Sequence, residues 1–290
     1  PERARADGLV RECDMTARRS IAFLFCAPLL CACPPPVDPY YDDDIGLEGT
    51  AIDPGAFAGT FAMKMQVTTQ TDLPVIGTVT GGGDTYLLVT RTYDETAQTY
   101  AQSNQVCGGL IRSETSESTL PSESWQSVTA QEPRTTTIRD VDGFFEIDHH
   151  LELWGLANMS DPYEDALPAD DQEATQPPHS DHVVDMDDDG NPGMTIHVEG
   201  LVSGDFYFVQ RKISDLSGVL QGPDRAVGLH TSSFEQTILG ASQGPVQQGY
   251  PQRQHPDPLQ SWFEELRVDD GAGCDTVMQM VEDETLSRFR

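Results

Sequence analysis

The sequence predicts an all-β domain, mainly antiparallel, folded as a barrel or a sandwich, with one short C-terminal helix near 258–267 and long acidic loops. Two observations carry this. Apolar residues recur at every second position in run after run, and turn signals separate the runs. A third, a single stretch with helical spacing and a capping signal, supplies the helix.

The first run is 57–67. Phe57, Phe61, Met63, Met65 and Val67 alternate with Ala58, Thr60, Ala62, Lys64 and Gln66, so one face is buried. Residues 85–93 are β-branched and aromatic, and they return through Asp94-Glu95-Thr96 toward Cys107 as a hairpin. In 144–154, Phe145, Ile147, His149, Leu151 and Leu153 take one face; Glu146, Asp148, His150 and Glu152 take the other. Met194, Ile196 and Val198 oppose Thr195, His197 and Glu199, and strands follow at 205–212 and within 226–239. For the helix, Asp257 is the cap, Pro258 suits the first turn, and Leu259, Trp262, Phe263 and Leu266 share one face. The tail 276–286 fits either a strand or a helix. Residues 113–133 and 158–182, polar and nearly without apolar residues, read as long loops.

Charge narrows the function. The chain has 290 residues, with 17 Lys+Arg against 48 Asp+Glu and a net charge of −31. Such a surface repels polyanions, which excludes a nucleic-acid partner.

The N-terminal part divides into an upstream segment (1–14), a leader (15–32), and Cys33 with a Pro- and Asp-rich tether (33–53). The β-rich domain follows as 54–290. Arg18 and Arg19 precede an apolar run from Ile21 to Leu30. That run is shorter than the roughly 20 residues that span a bilayer and fits the core of a secretory signal. The run ends in Leu30-Cys31-Ala32-Cys33, which resembles the lipobox of bacterial lipoproteins, with Cys31 where a small or β-branched residue is usual. The resemblance covers residues 15–33. It implies cleavage before Cys33, acylation (a palmitate-type modification) of Cys33, and a lipid-anchored place in the bacterial cell envelope. Pro34, rather than Asp, after the lipidated residue implies the outer membrane. Separately, Gly59-Thr60-Phe61 resembles the Gly-x-Trp opening of lipocalin-like barrels, with Phe for Trp and no second motif, so no function is carried from it.

Removal of the leader takes away Cys13, Cys26 and Cys31, and Cys33 carries lipid. Cys107 and Cys274 then remain in an oxidising compartment, as a disulfide or as two buried thiols; the even pair favours the disulfide.

Three constellations could carry chemistry. Asp185-Met186-Asp187-Asp188-Asp189-Gly190 resembles the start of an EF-hand-type calcium loop, in which alternate carboxylates converge on a hard cation. Ile196 stands where that loop places its bidentate acid, so Asp181 or a carbonyl must complete the site. The alternative is an acidic hairpin turn. His149, His150, His179 and His182 are candidate transition-metal ligands, but without metal-site spacing; His150, among acids, reads as solvated. Gly240-Ala241-Ser242-Gln243-Gly244 matches a nucleophile elbow, yet Pro245 follows where a helix is needed. The reading is a lipid-anchored, non-catalytic binding or structural module with a protein or small-ligand partner, possible calcium stabilisation and no other cofactor. The alternative is a secreted hydrolase dependent on a metal or on Ser242. A hollow barrel interior favours small-ligand binding.

Overall fold

The computed structural model describes residues 48–73, 77–128, 134–139, 142–200, 203–243 and 252–286. The leader, Cys33 and most of the tether lie outside the described residues. Eleven strands alternate with short helices in the order β1 (Gly59–Leu73), β2 (Gly77–Asp94), β3 (Thr99–Ser113), β4 (Ser116–Thr119), α1 (Ser122–Ser127), β5 (Arg134–Arg139) and β6 (Phe144–Trp154). Then come α2 (Asp171–Ala174), α3 (His179–His182), β7 (Met194–Gly200), β8 (Gly204–Leu220), β9 (Arg225–Ala241), β10 (Gln252–Gln254), β11 (Trp262–Val268) and α4 (Cys274–Glu282).

Antiparallel pairing runs β1–β2–β3–β5–β6–β8–β9–β11 and returns to β1, so the sheet closes on itself as a ring. Of the two sequence options, barrel and sandwich, the closed ring is the barrel, though an irregular one. Toward one end the long strands β3 and β8 are joined through β5 and β6; toward the other, through β4 and β7. Between these two bridges α1 fills the wall, and its Trp125 points inward. The expected loop 113–133 therefore contains β4 and α1. The expected loop 158–182 holds only the single-turn helices α2 and α3.

The end built from the first half of β1 and from β5, β11 and the second half of β8 is packed solid. Phe57, Phe61, Phe145 and Phe263 are fully buried there and stack on one another, with ring centroids 4.5–5.9 Å apart. The end of the tether docks beside them: the Thr50 amide donates to Leu220 O at 2.8 Å, and Ile52 packs on the core.

Three β-bulges among the described strands set which side chains enter the barrel, one of them at Leu239 of β9. On β6, Asp148 and His149 together face one residue of β8. Because the side-chain period is two, one extra residue reverses the faces of everything after it. Phe145 and Ile147 point inward before the bulge; His150, Glu152 and Trp154 point inward after it. This corrects the face assignment read from the sequence. His150 is not solvated but 3% exposed, and Leu151 and Leu153 point out of the barrel. Those leucines are covered by Leu156, Leu167 and Ala174, which gives the acidic excursion of 156–193 its packing role. The side chain of His149 lies outside the described set.

The second bulge places Cys107 as the extra residue of β3. It turns outward to Cys274 at the start of α4, and the two form a disulfide with Cα atoms 5.0 Å apart. Helix α4 thereby lies on the outer face of β1–β3, with Val277 buried against Ala62 and Tyr86. The tail is thus helical. The expected helix at 258–267 is instead a single 3-10 turn, Pro258–Gln260, followed by strand β11. Asp257 caps that turn, accepting from the Leu259 amide at 3.0 Å. The helical spacing failed because Glu265 points into the barrel with Phe263, and a buried charge hid the two-residue period.

Candidate functional site: a half-empty barrel

The opposite end of the barrel is hollow. A cavity of about 410 Å³ opens between the second half of β1, the first half of β2 and the facing parts of β3, β4, β7, β8 and β9. Two features of the sequence make the space. Gly81, Gly82 and Gly83 present no side chain where β2 crosses β1. A Cβ on Gly82, which has φ +143°, would fall 2.1 Å from Val67 O. Gly109 does the same for β3: its Cβ would fall 2.4 Å from the Trp125 ring, so only glycine lets that indole lie against the wall.

The walls are aromatic. Trp125 and Trp154 meet edge to face at 5.0 Å, Trp154 reaches Phe208 at 6.3 Å, and Phe206 and Phe234 line the space above. Hydroxyl groups of Thr71, Ser113, Ser116 and Ser118 belong to the strand ends around the mouth.

The floor is polar. Glu152 on β6 and Lys212 on β8 are directly paired across the strands, and Lys212 Nζ donates to Glu152 Oε1 at 2.9 Å. Both are buried, at 2% and 5% exposure. Burial opposes ionisation of Glu152, but the Lys212 ammonium and His150 override it and hold the carboxyl well below its usual range. His230, also buried here, is pushed down to about 3, first by burial and then by the Lys212 charge. It is therefore neutral, with Nε2 donating to Gln66 O at 2.6 Å.

Below the floor the polar groups continue as a chain. Asn104 donates to His150 Nδ1 at 3.1 Å, Gln102 donates to Asn104 Oδ1 at 2.8 Å, and Arg91 donates to Gln102 at 2.5 Å. Arg91 is itself locked to Glu265. Two floor atoms stand outside this network. Glu152 Oε2 and Trp154 Nε1 are buried and have no hydrogen-bond partner among the described residues. Buried polar atoms are normally paired, so two orphans on one cavity wall mark a place for a guest.

No protein-family model, curated protein or solved structure matches the chain. The reading of the site therefore rests on its geometry.

The residues singled out from the sequence lie elsewhere. Asp185, Asp187 and Asp189 do converge, each offering a carboxylate oxygen within 4.8 Å of the others. Asp185 accepts from the amides of Asp189 and Gly190, at 3.2 and 2.8 Å, and Asp187 Oδ2 accepts from the Thr195 amide at 2.9 Å. Asp187 Oδ1 is buried without a partner, and burial raises the pKa of that carboxyl. Asp181 sits on α3 outside this group. His179 and His182 stand with ring centroids 6.4 Å apart, and Glu173 is 4.0 Å from His179. Among the described residues they form no three-ligand cluster. Ser242 follows β9, where its hydroxyl accepts from the Asp205 amide at 2.8 Å, and among the described residues no hydrogen bond joins it to a histidine. His255 instead accepts from the Asp257 amide.

The floor residues escaped sequence reasoning. One signal was available: on β8, Phe206, Phe208, Gln210 and Lys212 share a face, an apolar stripe that ends in a charge.

Proposed function

We propose that the chain is a non-catalytic binding protein that takes a small, largely apolar molecule into the open half of its barrel. The observation that carries this reading is the cavity itself: aromatic walls, an open end, and a floor with two unsatisfied polar atoms. The rival hydrolase reading has less support, because Ser242 and the 181–189 acids do not line the cavity. The test is titration with N-phenyl-1-naphthylamine, an uncharged dye that brightens on leaving water. The wild type binds it with a stoichiometry of one. Ile196→Trp, which fills the cavity from β7, abolishes the signal while keeping cooperative unfolding. Equal binding by both proteins would place the dye elsewhere.

The same reading puts the protein at the bacterial cell envelope, at an outer-membrane surface in the sense the lipobox resemblance implies, through acyl chains on Cys33. Two or more chains give stable anchoring where one gives marginal binding. A palmitate analogue labels the wild type and not Cys33→Ala; labelling of both rejects the anchor.

Calcium is a second element of the proposal, favoured by the convergence of Asp185, Asp187 and Asp189 and by the unpartnered Asp187 oxygen. Three carboxylates without the bidentate acid make a weak site, with Kd of about 0.1–1 mM. Calcium at about ten times Kd raises stability by roughly 1.4 kcal/mol. Thermal unfolding with calcium and with chelator reads this, and Asp187→Asn/Asp189→Asn removes the difference. A calcium shift as large in the double variant as in the wild type makes the loop an acidic turn only.

A further inference from the structure

We infer that the cavity selects an electrically neutral guest that enters head first and presents a hydroxyl-type group, both donor and acceptor, to Glu152 Oε2 and Trp154 Nε1. The inference rests on the binding reading above and adds the chemical class of the ligand.

The first argument is complementarity. Glu152 and Trp154 are two residues apart on the same face of β6, so their Cα atoms are about 7 Å apart and both side chains aim at one region. One offers an acceptor oxygen and the other a donor N–H, and neither is used within the protein. Both atoms are buried with their bonds unmade, so a guest group that reaches them supplies what the protein does not. An alcohol or phenol does this with one oxygen, donating to Glu152 and accepting from Trp154. A hydrocarbon supplies neither bond, and an ether supplies only the one to Trp154.

The second argument is charge. Glu152 is already balanced by Lys212 at 2.9 Å, and His230 is committed to Gln66 O. His150 Nδ1 accepts from Asn104, so its ring proton is on Nε2, 3.4 Å from Glu152 Oε1. The floor thus has no spare charge to neutralise an ion. A carboxylate head would face the Glu152 oxygen, and an ammonium head would approach Lys212. Either would be desolvated without a countercharge of its own. The third argument is the wall above: Phe206, Phe208, Phe234 and Ile238 demand an apolar body behind the head.

A matched series tests this: decan-1-ol, its chain-length-matched methyl ether, decanoate and decylamine, each competing with N-phenyl-1-naphthylamine at neutral pH. Decanol displaces the dye at a concentration at least about tenfold lower than either ion or the ether, the scale of one to two buried hydrogen bonds. Glu152→Gln keeps the shape and removes the charged acceptor, which brings the alcohol-to-ether ratio toward one; Trp154→Phe keeps the ring and removes the N–H, which weakens alcohol and ether alike by several-fold and leaves their ratio standing. If Glu152→Gln does not fold, that shared loss in Trp154→Phe decides alone. Failure of the dye to bind the wild type defeats the cavity reading itself. Dye binding with no preference for the alcohol, with a preference that survives Glu152→Gln, or with alcohol and ether affinities unchanged in Trp154→Phe, leaves the cavity reading standing and overturns this inference.

Discussion

Arg91→Met lowers the stability of the domain by about 3–5 kcal/mol, read from urea unfolding. Arg91 and Glu265 lie at the packed end of the barrel with side chains 0% exposed, joined by two hydrogen bonds of 2.6 and 2.7 Å. The guanidinium is also ringed by Phe57, Phe61 and Phe145, whose centroids are 4.6, 5.2 and 5.1 Å away. Methionine refills the space but leaves the Glu265 carboxylate among phenyl rings with no countercharge. Removing one partner of a buried pair therefore costs far more than removing both. The double variant Arg91→Met/Glu265→Leu recovers most of the loss. A double variant as unstable as the single one would mean that packing by the guanidinium, not charge balance, supplies the energy.

Loss of the disulfide has an effect of similar size. Cys107 and Cys274 are 167 residues apart, and closing so long a loop restricts the unfolded chain by roughly 5 kcal/mol at most. We expect Cys107→Ser/Cys274→Ser to lose about 3–5 kcal/mol, or roughly 10 °C in Tm. The loss has a local component too. Helix α4 has nine residues and only Val277 fully buried along its length, so without the covalent pin it leaves the barrel wall first. Limited proteolysis cutting near 274–286 before the barrel strands are cut reports this. Unchanged Tm on reduction of the wild type contradicts it.

Much of the fold was legible because one face of most strands is apolar and the other polar. The first run, 57–67, became β1 with Phe61, Met63 and Met65 inside, as its alternation requires. What escaped has identifiable physical causes. The bulge at Asp148–His149 reverses β6 by one residue, and no composition signal marks it. In β11, Glu265 occupies an interior position, so Trp262-Phe263-Glu264-Glu265 looked helical. The Asp triad was visible because its ligands are sequence neighbours. The cavity was not, because it is made by what glycines lack at 81–83 and 109 and by residues from nine strands. The disulfide was legible because the expected leader and lipid site account for the other four cysteines.

The seam between β1 and β11 has a consequence for the order of events during synthesis. Arg267 at the end of β11 donates to Ala58 O at the start of β1, across 209 residues of chain. β1 can pair at once with β2 as a hairpin, but its other edge waits for β10 and β11, the latter about 200 residues further along the chain. Through that interval an edge lined by Phe61, Met63 and Met65 on its inner face stays open, a template for any other extended chain. Arrival of β11, not collapse of the first hairpin, then sets when the ring can close.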